Sequence, residues 1–169
     1  MAKASARKSA RKPALVGIVM ERTFDAPRER LWKAWTDAED LKRWWGPKPF
    51  TAPFIRVDPR VGGRFDYCMR SPDGKDYCNT GAFREIVPLE RFVATVSFAD
   101  EKGNVVPATH YGMSAEIPME QLWTVTFEEL EGGRTKVVMR HDGFPTAEES
   151  LNARMGWESS LDKLAELVE

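Results

Sequence analysis

The chain has 169 residues, 42% of them apolar and 30% charged, with a formal net charge of −1. That balance excludes a disordered or membrane-embedded chain and suits one domain with a sizeable core. The near-neutral total hides an asymmetry. Residues 1–14 carry Lys3, Arg7, Lys8, Arg11 and Lys12 and no acid, so the remainder sets 20 of the 25 basic residues against all 26 acidic ones, a body at −6. An acidic body is a poor nucleic-acid surface. The Ala/Ser/Lys/Arg-rich arm has nothing to bury and reads as a disordered basic extension over residues 1–14, with the folded domain at 15–169.

The first apolar run, Leu15–Met20, is too short for a signal peptide and meets Glu21-Arg22 at once, so it reads as a strand, Val16–Phe24. No stretch approaches the ~20 apolar residues of a membrane span. Asp25-Ala26-Pro27 fits an N-cap with a first-turn proline, followed by Leu31, Trp32, Ala34 and Trp35 at helical spacing. Asp37 caps a second short helix carrying Leu41, Trp44 and Trp45, which Gly46-Pro47 stops. A weak strand follows at 54–58, and Gly62-Gly63 then supplies the bend that lets a sheet curl.

Residues 64–70 alternate Phe65, Tyr67 and Met69 on one face with Asp66, Cys68 and Arg70 on the other. Ser71-Pro72-Asp73-Gly74-Lys75 suits a three-residue hairpin loop closed by a left-handed glycine. Counting outward sets Cys68 opposite Cys78 and places Tyr77, Asn79, Gly81 and Phe83 on the aromatic face of one returning strand. The cysteines lack CxxC spacing; a cross-strand disulfide is geometrically conceivable, but such pairs are strained and the default is two free thiols in a reducing, cytoplasmic protein with no metal site.

Pro88-Leu89-Glu90 turns into a strand at 91–98 with Phe92, Ala94, Val96 and Phe98 on one face. Residues 100–118 form a long irregular loop, of the length that usually carries function. Strands at 121–129 (Trp123, Val125, Phe127) and 135–142 (Val137, Met139, His141) flank a Gly132-Gly133 turn. Thr146-x-x-Glu149 is a capping box opening a helix to Val168, ~33 Å long. The order is strand, two short helices, six further strands and one long helix.

That order, with Asp25-Ala26-Pro27, Trp44-Trp45-Gly46-Pro47, Gly62-Gly63-Arg64-Phe65, Pro72-Asp73-Gly74, His110-Tyr111-Gly112 and Gly156-Trp157, resembles the START-like (SRPBCC) superfamily of polyketide cyclases, the birch pollen allergen and lipid-transfer domains. Within it, the chain is similar to the bacterial family named for the C-terminal domain of the activator of heat-shock-protein-90 ATPase. The resemblance covers roughly residues 15–169. It implies an α+β helix-grip fold: a curved seven-stranded antiparallel sheet around the C-terminal helix, with two short helices at one end and an apolar cavity between. Fold alone does not assign function.

The C-terminal half of the long helix offers Leu161, Leu164 and Val168 on the face centred on Trp157, whereas its N-terminal half offers Ser150 and Ala153. Small residues at one end leave space beside them. The expected cavity lining is therefore Trp45, Phe65, Tyr67 and Met69; Tyr77, Asn79, Phe92 and Val96; and Trp123, Met139, His141, Ser150 and Ala153. A buried phenol needs a hydrogen-bond partner, which a ligand supplies at Tyr67 or Tyr77. His110, Tyr111 and Met113 form the expected lid, and His141 is the one candidate acid–base group.

The sequence thus points to a binding protein for a small hydrophobic, lipid-like or polyketide-like ligand, without a cofactor. A cyclase or dehydratase using His141 is the first alternative. A chaperone-associated interaction domain is the second, although 169 residues leave no room for the separate N-terminal domain of the name-giving activators. Monomer and homodimer both remain open from sequence.

Overall fold

The computed structural model describes residues 15–169, and the basic arm read at residues 1–14 lies outside them. Alternating side chains build strands β1 (Val16–Phe24), β2 (Thr51–Val57), β3 (Phe65–Arg70), β4 (Asp76–Thr80), β5 (Phe83–Val87), β6 (Arg91–Ala99), β7 (Gln121–Leu130) and β8 (Arg134–Phe144). All pair antiparallel in the order β1-β8-β7-β6-β4-β3-β2, with β5 also on β6. Helices α1 (Arg28–Thr36) and α2 (Ala38–Trp44) follow β1, and α3 (Ala147–Val168) ends the chain. This is the helix-grip architecture, with no helix long and apolar enough to cross a membrane among the described residues.

The eighth strand arises because the single return strand expected through Tyr77 and Phe83 is divided. At Gly81 the chain crosses so close to β6 that a Cβ would sit 1.9 Å from the Thr95 carbonyl oxygen. The Thr95 hydroxyl then accepts from the Ala82 N–H at 3.1 Å, and β5 resumes pairing at Phe83 opposite Ala94. Only glycine fits that approach.

Local chemistry sets most boundaries. Asp37 caps α2 by accepting from the Asp40 N–H at 3.0 Å, and Thr146 caps α3 by accepting from the Glu149 N–H at 3.1 Å. Asp25, by contrast, does not cap α1. Its N–H is held by the Glu169 carboxylate at 3.1 Å, and Pro27 occupies the cap position, its carbonyl already accepting from Arg30 and Leu31.

In the β3–β4 hairpin, Ser71 N–H donates to the Lys75 carbonyl at 3.0 Å and Cys68 faces Cys78, the expected register. The expected free thiols are corrected: the two sulphurs are bonded, with the Cα atoms 4.0 Å apart. Three steps from the bonded pair Ser71/Lys75 and one from Met69/Tyr77, this is a non-hydrogen-bonded ladder position, where opposite residues approach most closely.

The core is aromatic. Trp35 and Trp44 are fully buried with ring centroids 4.7 Å apart, and Trp35 also meets Phe92 at 6.0 Å and Phe127 at 6.3 Å. Leu161, Leu164 and Ala165 of α3 close over this end. The Trp44 indole N–H donates to the Ala34 carbonyl at 2.9 Å, so its one polar atom is satisfied.

Candidate functional site

Towards the N-terminal half of α3 the packing opens into a cavity of about 580 Å³. Its sheet wall comprises Tyr67 and Met69 of β3, Asn79 of β4, Val96 and Phe98 of β6, Trp123 of β7 and His141 of β8. Ala153, Gly156 and Trp157 of α3 lie opposite, where the small side chains leave the room. Trp45, Gly46 and Pro47 form one lip, and Met113, Ser114 and Ile117 of the long loop form the other. Exposed Met113 and Asn152 mark the mouth.

Of the expected lining residues, Trp45, Tyr67, Met69, Asn79, Val96, Trp123, His141 and Ala153 border the hollow. Five do not. Phe92 and Met139 are sealed in the filled end of the core, and Phe65 lies behind Trp45 and Trp123, 5.4 and 5.8 Å away. Ser150 turns its hydroxyl back to the Ala147 carbonyl at 2.8 Å. Tyr77 sits nearer the hairpin tip, against Phe50 and Tyr111, with the Lys75 ammonium 5.0 Å over its ring.

The lid is also revised. Met113 lines the cavity, but exposed His110 packs edge-on to Tyr111 beside the hairpin loop. Tyr111 is an anchor: its hydroxyl donates to the Ala99 carbonyl at 2.6 Å and accepts from the Cys78 N–H at 3.0 Å, bridging β4 and β6. The opposite lip is fixed by Lys163 of α3, whose ammonium donates to the carbonyls of Gly46 at 3.0 Å and Phe50 at 3.3 Å.

His141 is held on both sides. Gln121 donates its amide N–H to the Gly143 carbonyl at 3.0 Å, which turns its Oε1 towards His141 Nε2 at 3.2 Å. The Trp157 indole, which can only donate, reaches Nδ1 at 3.3 Å. The proton therefore sits on Nε2 and the Nδ1 lone pair is occupied. Burial pushes the pKa down to about 3, and the Trp157 donor favours the same neutral form. Such an imidazole is a poor proton acceptor at neutral pH.

The cavity's unspent polarity lies elsewhere. Tyr67 and Asn79, direct cross-strand partners on β3 and β4, are buried yet make no side-chain hydrogen bond among the described residues. Burial raises the Tyr67 pKa above that of an ordinary phenol, so it remains a neutral O–H. Gln121 and Trp157 were missed as lining residues. Trp157 was legible as the centre of the helix's inner face, but Gln121 acts through a partner 22 residues away and left no local signal.

A curved antiparallel sheet gripping a long helix over a partly hollow core defines the START-like class. The family described as Activator of Hsp90 ATPase homolog 1-like protein matches residues 25–169, and the chain belongs to it. Among solved structures, protein CV1439 from Chromobacterium violaceum is similar at 29% identity and TM-score 0.75, covering 90% of this chain and 96% of that one. A protein from Arthrobacter aurescens is similar at 25% identity and TM-score 0.74, covering 92% and 90%. The AHSA1 protein from Silicibacter pomeroyi shares the fold at 24% identity and TM-score 0.72, covering 89% and 96%. No curated protein matches the chain.

Proposed function

We propose that this protein binds a small, predominantly apolar molecule in the cavity between the sheet and the N-terminal half of α3. The observation that carries the reading is a hollow of about 580 Å³ walled mainly by apolar and aromatic side chains. Its volume and lining are those of small-molecule sites, which pair apolar walls with a few placed polar groups. Binding is favoured over proton-transfer catalysis because both nitrogens of His141 are engaged within the protein.

Native mass spectrometry of the protein purified from its own host tests this directly. A discrete adduct that denaturation releases is the expected result. Purely apo protein that also fails to take up hydrophobic fluorescent probes would overturn the reading.

A chaperone contact is a second reading, supported by the family description alone. An ATPase assay of the host's own chaperone with and without this protein tests it. An unchanged rate removes it.

A further inference from the structure

We propose that the cavity selects an uncharged ligand bearing a hydroxyl or carbonyl, which hydrogen-bonds to Tyr67 and Asn79 at the sheet wall. The inference rests on the cavity being a ligand site and goes on to say what that ligand carries.

Tyr67 and Asn79 face each other across the β3–β4 ladder, so their Cβ atoms stand about 5 Å apart on one face. One ligand in the cavity can therefore address both side chains. Tyr67 offers an O–H, and Asn79 offers N–H donors and a carbonyl acceptor. A ligand carbonyl accepts from both side chains. A ligand hydroxyl accepts from Tyr67 while donating to Asn79. Both residues are more than nine-tenths buried, and neither makes a side-chain hydrogen bond among the described residues. Buried polar groups are ordinarily paired, and for these two the cavity is the side from which a ligand can supply the partner.

Charge is excluded by the rest of the lining. Among the described residues it contains no lysine or arginine, and its histidine is held neutral. The carboxylate that borders the cavity, Glu149, lies at the mouth with the Thr146 hydroxyl donating to it at 3.2 Å. A buried ligand carboxylate would lack a counter-charge and would also meet Glu149, and burying an uncompensated charge is strongly unfavourable. A ligand ammonium at the sheet wall would meet neutral acceptors there and no carboxylate.

Four probes sharing one ring system separate the possibilities: pyrene, 1-pyrenemethanol, 1-pyrenecarboxylate and 1-pyrenemethylammonium. Binding is read as energy transfer from Trp45, Trp123 and Trp157 around the cavity. The alcohol should bind about fivefold more tightly than pyrene and at least about tenfold more tightly than either ion. The double substitution Tyr67→Phe with Asn79→Ala should bring the alcohol to pyrene's affinity and leave pyrene itself within about twofold. Near-UV circular dichroism checks that this variant is folded, and the ranking on the unaltered protein stands without it. Tightest binding by the carboxylate or ammonium overturns the inference, as does an alcohol indifferent to the double substitution. If pyrene binds in either case, the cavity reading survives. If none of the four binds, both fall.

Discussion

The two halves of α3 face the same sheet but differently furnished space. At the C-terminal half, Leu161 and Leu164 meet a solid aromatic core around Trp35, Trp44 and Phe92. At the N-terminal half, Ala153 and Gly156 meet Tyr67, Asn79 and Val96 across a void. Trp157 is the partition, stacked on Trp35 at 6.2 Å on one side and edge-on to Trp123 at 5.6 Å on the other. Large inward side chains line the sheet in both regions, so the void is made by the helix. The filled half holds the fold together, and the hollow half is where side chains were kept small.

The largest effect that would test this division is at its filled end. Trp35→Ala removes a fully buried indole that packs on five other aromatic rings, and should destabilise by about 3–5 kcal/mol in chemical denaturation. A loss below about 1 kcal/mol would mean that this half is loosely packed as well.

The next test asks whether His141 belongs to the structural frame of the hollow half. Its pKa falls from an ordinary 6.5 to about 3 on folding, so the unfolded chain binds the extra proton between those values. Its contribution is therefore complete above pH 6.5 and is lost as the pH falls towards 3, at about 1.4 kcal/mol per pH unit. Urea midpoints measured from pH 6.5 to 4.5 should decline in the parent and flatten in His141→Gln. Asp66 does not obscure that window. Burial pulls its carboxyl up, but hydrogen bonds from Arg64, Thr80 and Arg56 outweigh this and hold it below the usual range, so its loss comes at lower pH.

Tyr111→Phe should cost about 1–3 kcal/mol, because the Cys78 N–H and Ala99 carbonyl lose the hydroxyl that bridges them. Hydrogen exchange should then quicken at both strands and along the lid residues 112–117. Unchanged exchange there would show that the lid is anchored by something other than Tyr111.

The smallest change should be stabilising. Gly156 lies inside α3 with ordinary helical backbone, and an added Cβ would meet nothing within 4 Å. Gly156→Ala should therefore gain about 0.5–1 kcal/mol while narrowing the cavity and weakening uptake of 1-pyrenemethanol. Tighter uptake would place the ligand away from α3.

Much of this frame was legible along the chain. The caps at Asp37 and Thr146, the Ser71–Lys75 loop and the Cys68–Cys78 register are contacts between near neighbours, and short-range spacing predicts those. The division of α3 was also legible, because side-chain size at helical spacing is a property of one segment. Asp25 was misread because a remote group, the Glu169 carboxylate, holds the N–H beside its side chain. The split of one expected strand at Gly81 was missed because it answers to Thr95 on a neighbouring strand.

By itself, then, the sequence determined the order of elements apart from the split at Gly81, most inward faces and the end of the helix that would leave room. Each of these follows from periodicity and volume within single segments. Only the tertiary structure decided which inward residues reach the void and which are sealed behind others. It also placed His141 between Gln121 and Trp157, set Tyr111 as an anchor, and left Tyr67 and Asn79 without partners. The physical reason is that a side chain's hydrogen-bond partners come from segments far away in sequence, and three-dimensional packing alone chooses among them.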